Sequence, residues 1–217
     1  CCGDRPPAEY SRSDINKFID VSVKTKKTAT VHRQLKSITA MFNFISLELD
    51  IKPDRLHCFQ KFNIPGLGDD AESRVDFSHE QILAIRKMPP TKTLEIDCMI
   101  HLMLDTGMRV KECCGLLVSD ADLKAKTPHL VLYKNNIRGL KNKNSQRVVP
   151  LIGSSLLAIE KLVEAASNDY LFPRYVNDSG DDVKNTGASG ACNKRLKALL
   201  GPSSPTSHSF RHTMQTR

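Results

Sequence analysis

No run of about eighteen apolar residues, the length a helix needs to cross a bilayer, occurs in this 217-residue sequence. Its first residues also lack the basic-then-apolar pattern of a secretory leader. No membrane is therefore expected among its partners. The seven cysteines are an odd number and none falls in a Cys-x-x-Cys pair. Cys1 and Cys2 are too local to begin a disulfide framework, and His57 with Cys58 lacks the further ligands of a zinc site. Cys98, Cys113 and Cys114 fall within apolar helical patterns, where thiols act as small hydrophobes. A reducing, cytoplasmic setting without a bound metal is the expectation. Internal repeats and low-complexity tracts are absent as well.

What is present is positive charge. Lys and Arg outnumber Asp and Glu by 32 to 24, a formal net charge of +8. That balance suits a polyanionic partner, although a solvated basic surface has the same composition. The length allows one large domain or two modest ones, and a change in pattern near residue 65 favours two.

Residues 1 to 10 hold two prolines and no apolar period. Ser11 and Asp14 then form a capping pattern ahead of Ile15, Phe18 and Ile19, the stripe of a short helix. From Thr30, the positions Val31, Leu35, Ile38, Phe42, Ile45 and Leu49 trace one face of a longer helix that ends before Pro53. Lys26 and Lys27 precede it, and His32, Arg33 and Lys36 line its other side, a face for DNA or for water. Asn63 to Asp70, with its Pro, Gly and acidic content, reads as a linker. The expected division is a helical domain over 1–64, a linker over 65–75 and a second domain over 76–217.

The second domain opens with Ser78 and Gln81, another capping box, on a helix stopped by Pro89-Pro90. Leu94 to Leu104 is apolar on nearly every side and predicts a buried helix. His129–Tyr133, Ile137–Leu140 and Arg147–Leu151 read as three strands of a small antiparallel sheet, with Asn-rich turns between them. Helices are expected again over 154–166, over 188–200 and from about Ser207 onward, the last still running at Arg217. A helix without a stop signal suggests that more of the domain lies beyond it. The fold class is thus mainly α with a small antiparallel β-sheet, an α+β protein.

One segment stands out. The run Leu102 to Thr106 reaches Gly107, turns, and restarts as a helix in which Val110, Cys113, Cys114 and Leu117 keep the spacing of a buried face. Arg109 and Glu112 then share another face. Such a pair is common on solvated helices, but His208, Arg211 and His212 form a second basic cluster near the end of the sequence. Lys141 stands at the edge of a turn, with Lys143 as a rival for the same role. Two arginines, a lysine and a histidine suit a phosphodiester. Guanidinium forks bind two phosphate oxygens and stay charged at working pH. A lysine can protonate a departing oxygen, and a histidine can assist the attacking group.

Thr106-Gly107-Met108-Arg109 through Leu116, followed by Ser119-Asp120-Ala121-Asp122-Leu123, resembles the first arginine box of the tyrosine recombinases, the phage integrase family. Leu140 to Leu151 is similar to that family's strand-turn-strand with its catalytic lysine. Tyr170-Leu171-Phe172-Pro173 and His208-Ser209-Phe210-Arg211 resemble its later signatures, the second being the His-x-x-Arg box. The resemblance covers residues 75–217 in the right order. Residues 11 to about 62 more weakly resemble the family's helical core-binding domain, which closes a clamp around DNA.

The resemblance implies site-specific recombination or integration by strand cleavage and rejoining through a 3′-phosphotyrosine, with no cofactor. Arg109 and Arg211 would clamp the scissile phosphate. Lys141 would be the general acid and His208 the assisting histidine, with Glu112 and Lys143 in support. Lys26, Lys27, Arg33 and Lys36 would contact double-stranded DNA. Self-association into a tetrameric synapse, accessory DNA-bending proteins and a phage or bacterial, nucleoid-associated setting are also implied. The family's nucleophilic tyrosine follows the His-x-x-Arg box, whereas Tyr10, Tyr133, Tyr170 and Tyr175 all precede it. The nucleophile is therefore expected to be absent from residues 1–217, and this stretch alone to bind DNA without cutting it. A non-catalytic DNA-binding remnant and a topoisomerase of related chemistry are the alternatives.

Overall fold

The computed structural model describes residues 3–6, 9–48, 58–71, 75–139 and 145–216. Cys1, Cys2, Leu49, Pro53, His57, Leu140, Lys141 and Lys143, all used above, lie outside the described residues. The chain divides into two compact units, Cys1–Ser73 and Arg74–Arg217.

In the first unit, α1 (Arg12–Ser22) starts where Ser11 and Asp14 satisfy each other's backbone amides, at 3.3 Å and 2.9 Å. Helix α2 (Thr28–Glu48) places Val31, Leu35 and Phe42 against Ile15 and Ile19. Phe59 completes this core, stacked on Phe42 with ring centroids 3.9 Å apart. The Arg12 guanidinium fastens the segment around Phe59 by donating to the carbonyls of Cys58 and Gln60. Part of the expected linker is tied here too, because Asp70 caps α2 by accepting from the Thr28 amide at 2.6 Å. That hydrogen bonding, through the Thr28 hydroxyl and then its amide, holds the Asp70 carboxyl below the usual carboxylate range.

The second unit is built around α4 (Leu94–Thr106), in which every residue from Ile96 to Ile100 and from Leu102 to Asp105 is buried. Helices α3 (His79–Arg86), α5 (Val110–Cys114), α6 (Gly153–Ala165), α7 (Asn185–Leu200) and α8 (Ser209–Thr216) all pack on it. Two acids on so apolar a helix need partners. Asp97 receives Arg195 of α7 at 3.0 Å, and Asp105 receives Arg86 of α3 at 2.8 Å together with Ser154 and Ser155 of α6. The buried carboxylates thus fix which neighbours α4 takes. Ser78 and Gln81 cap α3 as the sequence predicts.

The sheet is antiparallel and three-stranded, with β1 (Ala121–Asp122), β2 (His129–Leu132) and β3 (Arg147–Pro150) in that order. Its register sets Leu130 opposite Val149 and Leu132 opposite Arg147. The fold class is as expected, but one strand is not. Residues 137–139 form no strand, and the third strand is the short Ala121–Asp122. The cause is local. Asn135 Oδ1 accepts from the amides of Ile137 and Arg138, at 3.1 Å and 2.6 Å, and bends the backbone away from β2. The Arg138 side chain then turns inward, fully buried, to donate to Asp120 at 2.6 Å and to the carbonyls of Gly115 and Tyr133.

Arg138 passes so close to Gly115 that a Cβ there would lie 2.7 Å from the arginine's own Cβ. Gly115→Ala should therefore destabilise the second unit by about 1–3 kcal/mol, the usual result of overpacking a filled site. Chemical denaturation reads this directly, and an unchanged midpoint would show that Arg138 moves aside freely.

Candidate active site

The Gly107 turn is the pivot of the site. Gly107 ends α4 in the left-handed region, with φ +62°, and its amide closes the helix on Met103 at 3.0 Å. A Cβ at Gly107 would sit 3.2 Å from Met214 Cβ of α8, so the turn also needs the missing side chain for space. Two residues later, Arg109 is extended and stands immediately before α5, as its N-cap, where the sequence suggested the first helical turn. Helix α5 is also shorter than its apolar spacing implies. Cys113 and Cys114 are buried as expected, but Gly115 ends the helix under Arg138, and Leu117 instead bridges to Tyr170.

Glu112 organises the charges. Its carboxylate accepts from the Arg109 amide at 2.9 Å and from the Arg109 Nη1 at 2.8 Å. Arg147, at the start of β3, donates to both of its oxygens, Nη2 at 2.9 Å and Nη1 at 3.3 Å. Burial alone would push this carboxyl up. The Arg147 hydrogen bond, the Arg109 amide, the Arg147 charge and the Arg109 side-chain hydrogen bond outweigh it and hold Glu112 below the ordinary glutamate range. It therefore stays ionised at neutral pH.

Arg211 arrives from the other end of the unit. Helix α8 is anchored by Phe210, stacked on Phe77 at 4.4 Å, and by Thr213, which accepts from the Phe77 amide at 3.0 Å. That docking brings Arg211 Nη1 to 3.2 Å from the Gly107 carbonyl. Burial and the nearby charges of Arg109 and Arg147 lower its pKa, against a smaller opposing effect of Glu112. The guanidinium still remains charged at any working pH.

His208 precedes α8 directly, one position outside the helix in which it was expected. It lines an open cleft of about 550 Å³ with Arg109, Lys111, Thr186, Ser189 and Ser207. His212 lies next to it, the two rings edge to face at 5.8 Å. The structure therefore brings Arg109, Glu112, His208 and Arg211 into one region. None of the four tyrosines lines the cleft. Among the described residues, no group of three His, Cys, Asp or Glu side chains is placed to hold a metal ion.

Arg147 is the functional candidate that sequence reasoning missed. The signal was available in the strand period: Arg147, Val149 and Leu151 alternate on the inward face, and a charge at an inward position needs a partner. In the first unit, Lys26, Lys27, Arg33 and Lys36 are all exposed. Lys26 and Arg33 border one shallow depression, whereas Lys36 borders another with His32 and Lys61.

Known proteins resemble this chain in sequence and in fold. The family model described as the phage integrase family matches residues 76–217. A probable integrase/recombinase of Acholeplasma phage L2 is 31% identical over 163 residues, which cover 70% of this chain and 50% of that protein. Tyrosine recombinase XerC of Roseiflexus castenholzii is 23% identical over 163 residues, covering 74% and 48%. The chain thus spans about half the length of the curated relatives it matches. Among solved structures, the Tn1549 transposon integrase in complex with circular intermediate DNA superposes with a TM-score of 0.67 at 20% identity, covering 99% of this chain and 74% of that one. A lambda integrase tetramer bound to a Holliday junction gives 0.67 at 14% identity, covering 97% and 60%. At those identities the structures speak for the fold alone. The family model, spanning the unit in which two distant arginines meet at one glycine turn, settles the kinship: this chain belongs to the phage integrase family, the tyrosine recombinases.

Proposed function

We propose that the second unit is the phosphate-binding core of a site-specific DNA recombinase that cuts and rejoins strands through a 3′-phosphotyrosine. The observation that carries this reading is the convergence of Arg109 and Arg211 on the Gly107 turn, beside a cleft that His208 also lines. In the proposed step a tyrosine hydroxyl, supplied from outside residues 1–217, attacks the scissile phosphorus. A Tyr O–P bond forms as the bond from phosphorus to the 5′ oxygen breaks. His208 accepts or shares the tyrosine proton, and Lys141, or Lys143 in its place, donates a proton to the departing oxygen. Arg109 and Arg211 offset the charge growing on the equatorial oxygens. The energy of the phosphodiester stays in the covalent link, so rejoining needs no nucleotide cofactor.

The first unit is proposed as a DNA clamp, its contacts made by Lys26, Lys27, Arg33 and Lys36. Among the structural relatives, the Tn1549 integrase is in complex with circular intermediate DNA, and lambda integrase is a tetramer bound to a Holliday junction. We carry over duplex DNA as the partner and self-association on it as the working state, in a phage or bacterial cytoplasm.

Residues 1–217 should bind duplex DNA with an affinity that falls steeply with salt, the log-log slope being about −0.9 per phosphate contacted. Fluorescence anisotropy across a salt series measures it. A flat response, or no binding at low salt, would overturn the DNA-clamp reading.

A further inference from the structure

We infer that Arg147 is a positioning residue of the phosphate clamp, acting on Arg109 through Glu112; the inference rests on the recombinase reading above. A carboxylate left alone with a neighbouring arginine favours a two-pronged pair with both oxygens engaged. Here Arg147 engages both Glu112 oxygens, and the Arg109 guanidinium reaches that carboxylate through Nη1 alone. The remaining guanidinium N–H groups of Arg109 make no hydrogen bond among the described residues, and Arg109 lines the cleft, so they are available there to a ligand. Arg147 thus keeps Glu112 from absorbing the arginine it supports.

Arg147 is itself braced. Its Nη1 also donates to the Ser145 carbonyl at 3.0 Å, and its backbone sits in β3 opposite Leu132. Its side chain is 28% exposed, Arg109's 30% and Glu112's 5%, so the acid is the buried hub and the two arginines are its flanks. The charge balance follows. Arg109, Arg147 and Arg211 face one carboxylate, which leaves two positive charges in excess where a phosphorane would carry two negative ones.

The test compares Arg147→Lys, which keeps the charge and loses the fork, with Arg147→Met, which loses both. One readout needs no catalysis: the two Nη resonances of Arg109 and the Glu112 carboxyl titration, followed by NMR on residues 1–217. Both variants should change the Arg109 pattern toward a two-pronged pair with Glu112, and Arg147→Met should raise the Glu112 pKa. The other readout is single-turnover cleavage of a nicked duplex by the tyrosine-bearing protein. Both variants should lose about 10-fold or more in rate, as for a misplaced catalytic group, with duplex affinity changed by no more than about twofold and the salt slope unchanged. Parent-like cleavage by Arg147→Lys would overturn the inference, since charge alone would then suffice. So would a slope reduced by one phosphate, which would make Arg147 a direct DNA contact, or a rate loss matched by a fall in thermal midpoint. An unchanged Arg109 spectrum in both variants would also sink it. If neither the parent protein nor Arg211→Ala differs from background cleavage, the recombinase reading fails, and the NMR result still decides whether Arg147 positions Arg109.

Discussion

Replacing Arg211 with alanine in the tyrosine-bearing protein should cut the rate of strand cleavage by roughly 100-fold or more, the loss seen when one preorganised donor to a developing oxyanion is removed. That is about 2.7 kcal/mol of transition-state stabilisation. The effect should fall on the chemical step and leave most of the duplex affinity intact, because a DNA-binding surface spreads its affinity over many phosphates. Arg211 has few other duties. Its Nη1 donates to the Gly107 carbonyl, while α8 is held by Phe210 and Thr213, which the substitution leaves untouched. Arg211→Lys should recover little, since an ammonium cannot span two phosphate oxygens. Covalent complex on a nicked duplex, trapped when the released fragment diffuses away, is the measurement. Normal complex formation by Arg211→Ala would remove the residue from the site, and the assignment of Arg109 with it.

The largest stability effect should come from a residue with no part in the chemistry. Arg138 is fully buried and holds Asp120, Gly115 and Tyr133 together. Arg138→Met keeps much of the side-chain volume but takes the charge partner from Asp120, which is left with the Leu117 amide, and leaves the Gly115 carbonyl with Asn135 alone. Breaking a buried pair from one side costs about 3–5 kcal/mol. The loss should appear in the unfolding transition of the second unit under urea, and Asp120→Asn in the same background should return part of it. A change below about 1 kcal/mol would mean that water reaches Asp120 once the guanidinium is gone.

Much of this fold was legible because its signals are local. Ser11 with Asp14, and Ser78 with Gln81, mark helix starts by side chains that bond within one turn. The largely apolar pattern of α4 required burial on nearly every side, and the structure buries every residue from Ile96 to Ile100 and from Leu102 to Asp105. The failed strand at 137–139 shows the opposite case. Its residues have strand character, but Asn135 captures the backbone amides, and Arg138 has a buried acid to reach that only the folded chain supplies. Likewise, Arg109 and Glu112 were readable as a pair from their spacing. That Arg147 joins them was not, because its contact crosses from a strand to a helix far away in sequence. Motif order brought Arg109, His208 and Arg211 into one hypothesis, and only the docking of α8 sets Arg211 on the Gly107 turn beside the cleft that Arg109 and His208 line.

Gly107 has a consequence in time as well as in space. The turn that sets the direction of Arg109 is formed by α4 and α5 alone, whereas the group that meets its carbonyl is on α8, the last helix described. A chain emerging from the ribosome therefore carries one of the two arginines proposed to bind phosphate for as long as α8 is still to be made. The second arginine arrives together with Phe210 against Phe77 and Met214 over the glycine. Synthesis order thus sets assembly order: Arg211 can reach the glycine turn beside Arg109 only once α8 has been made.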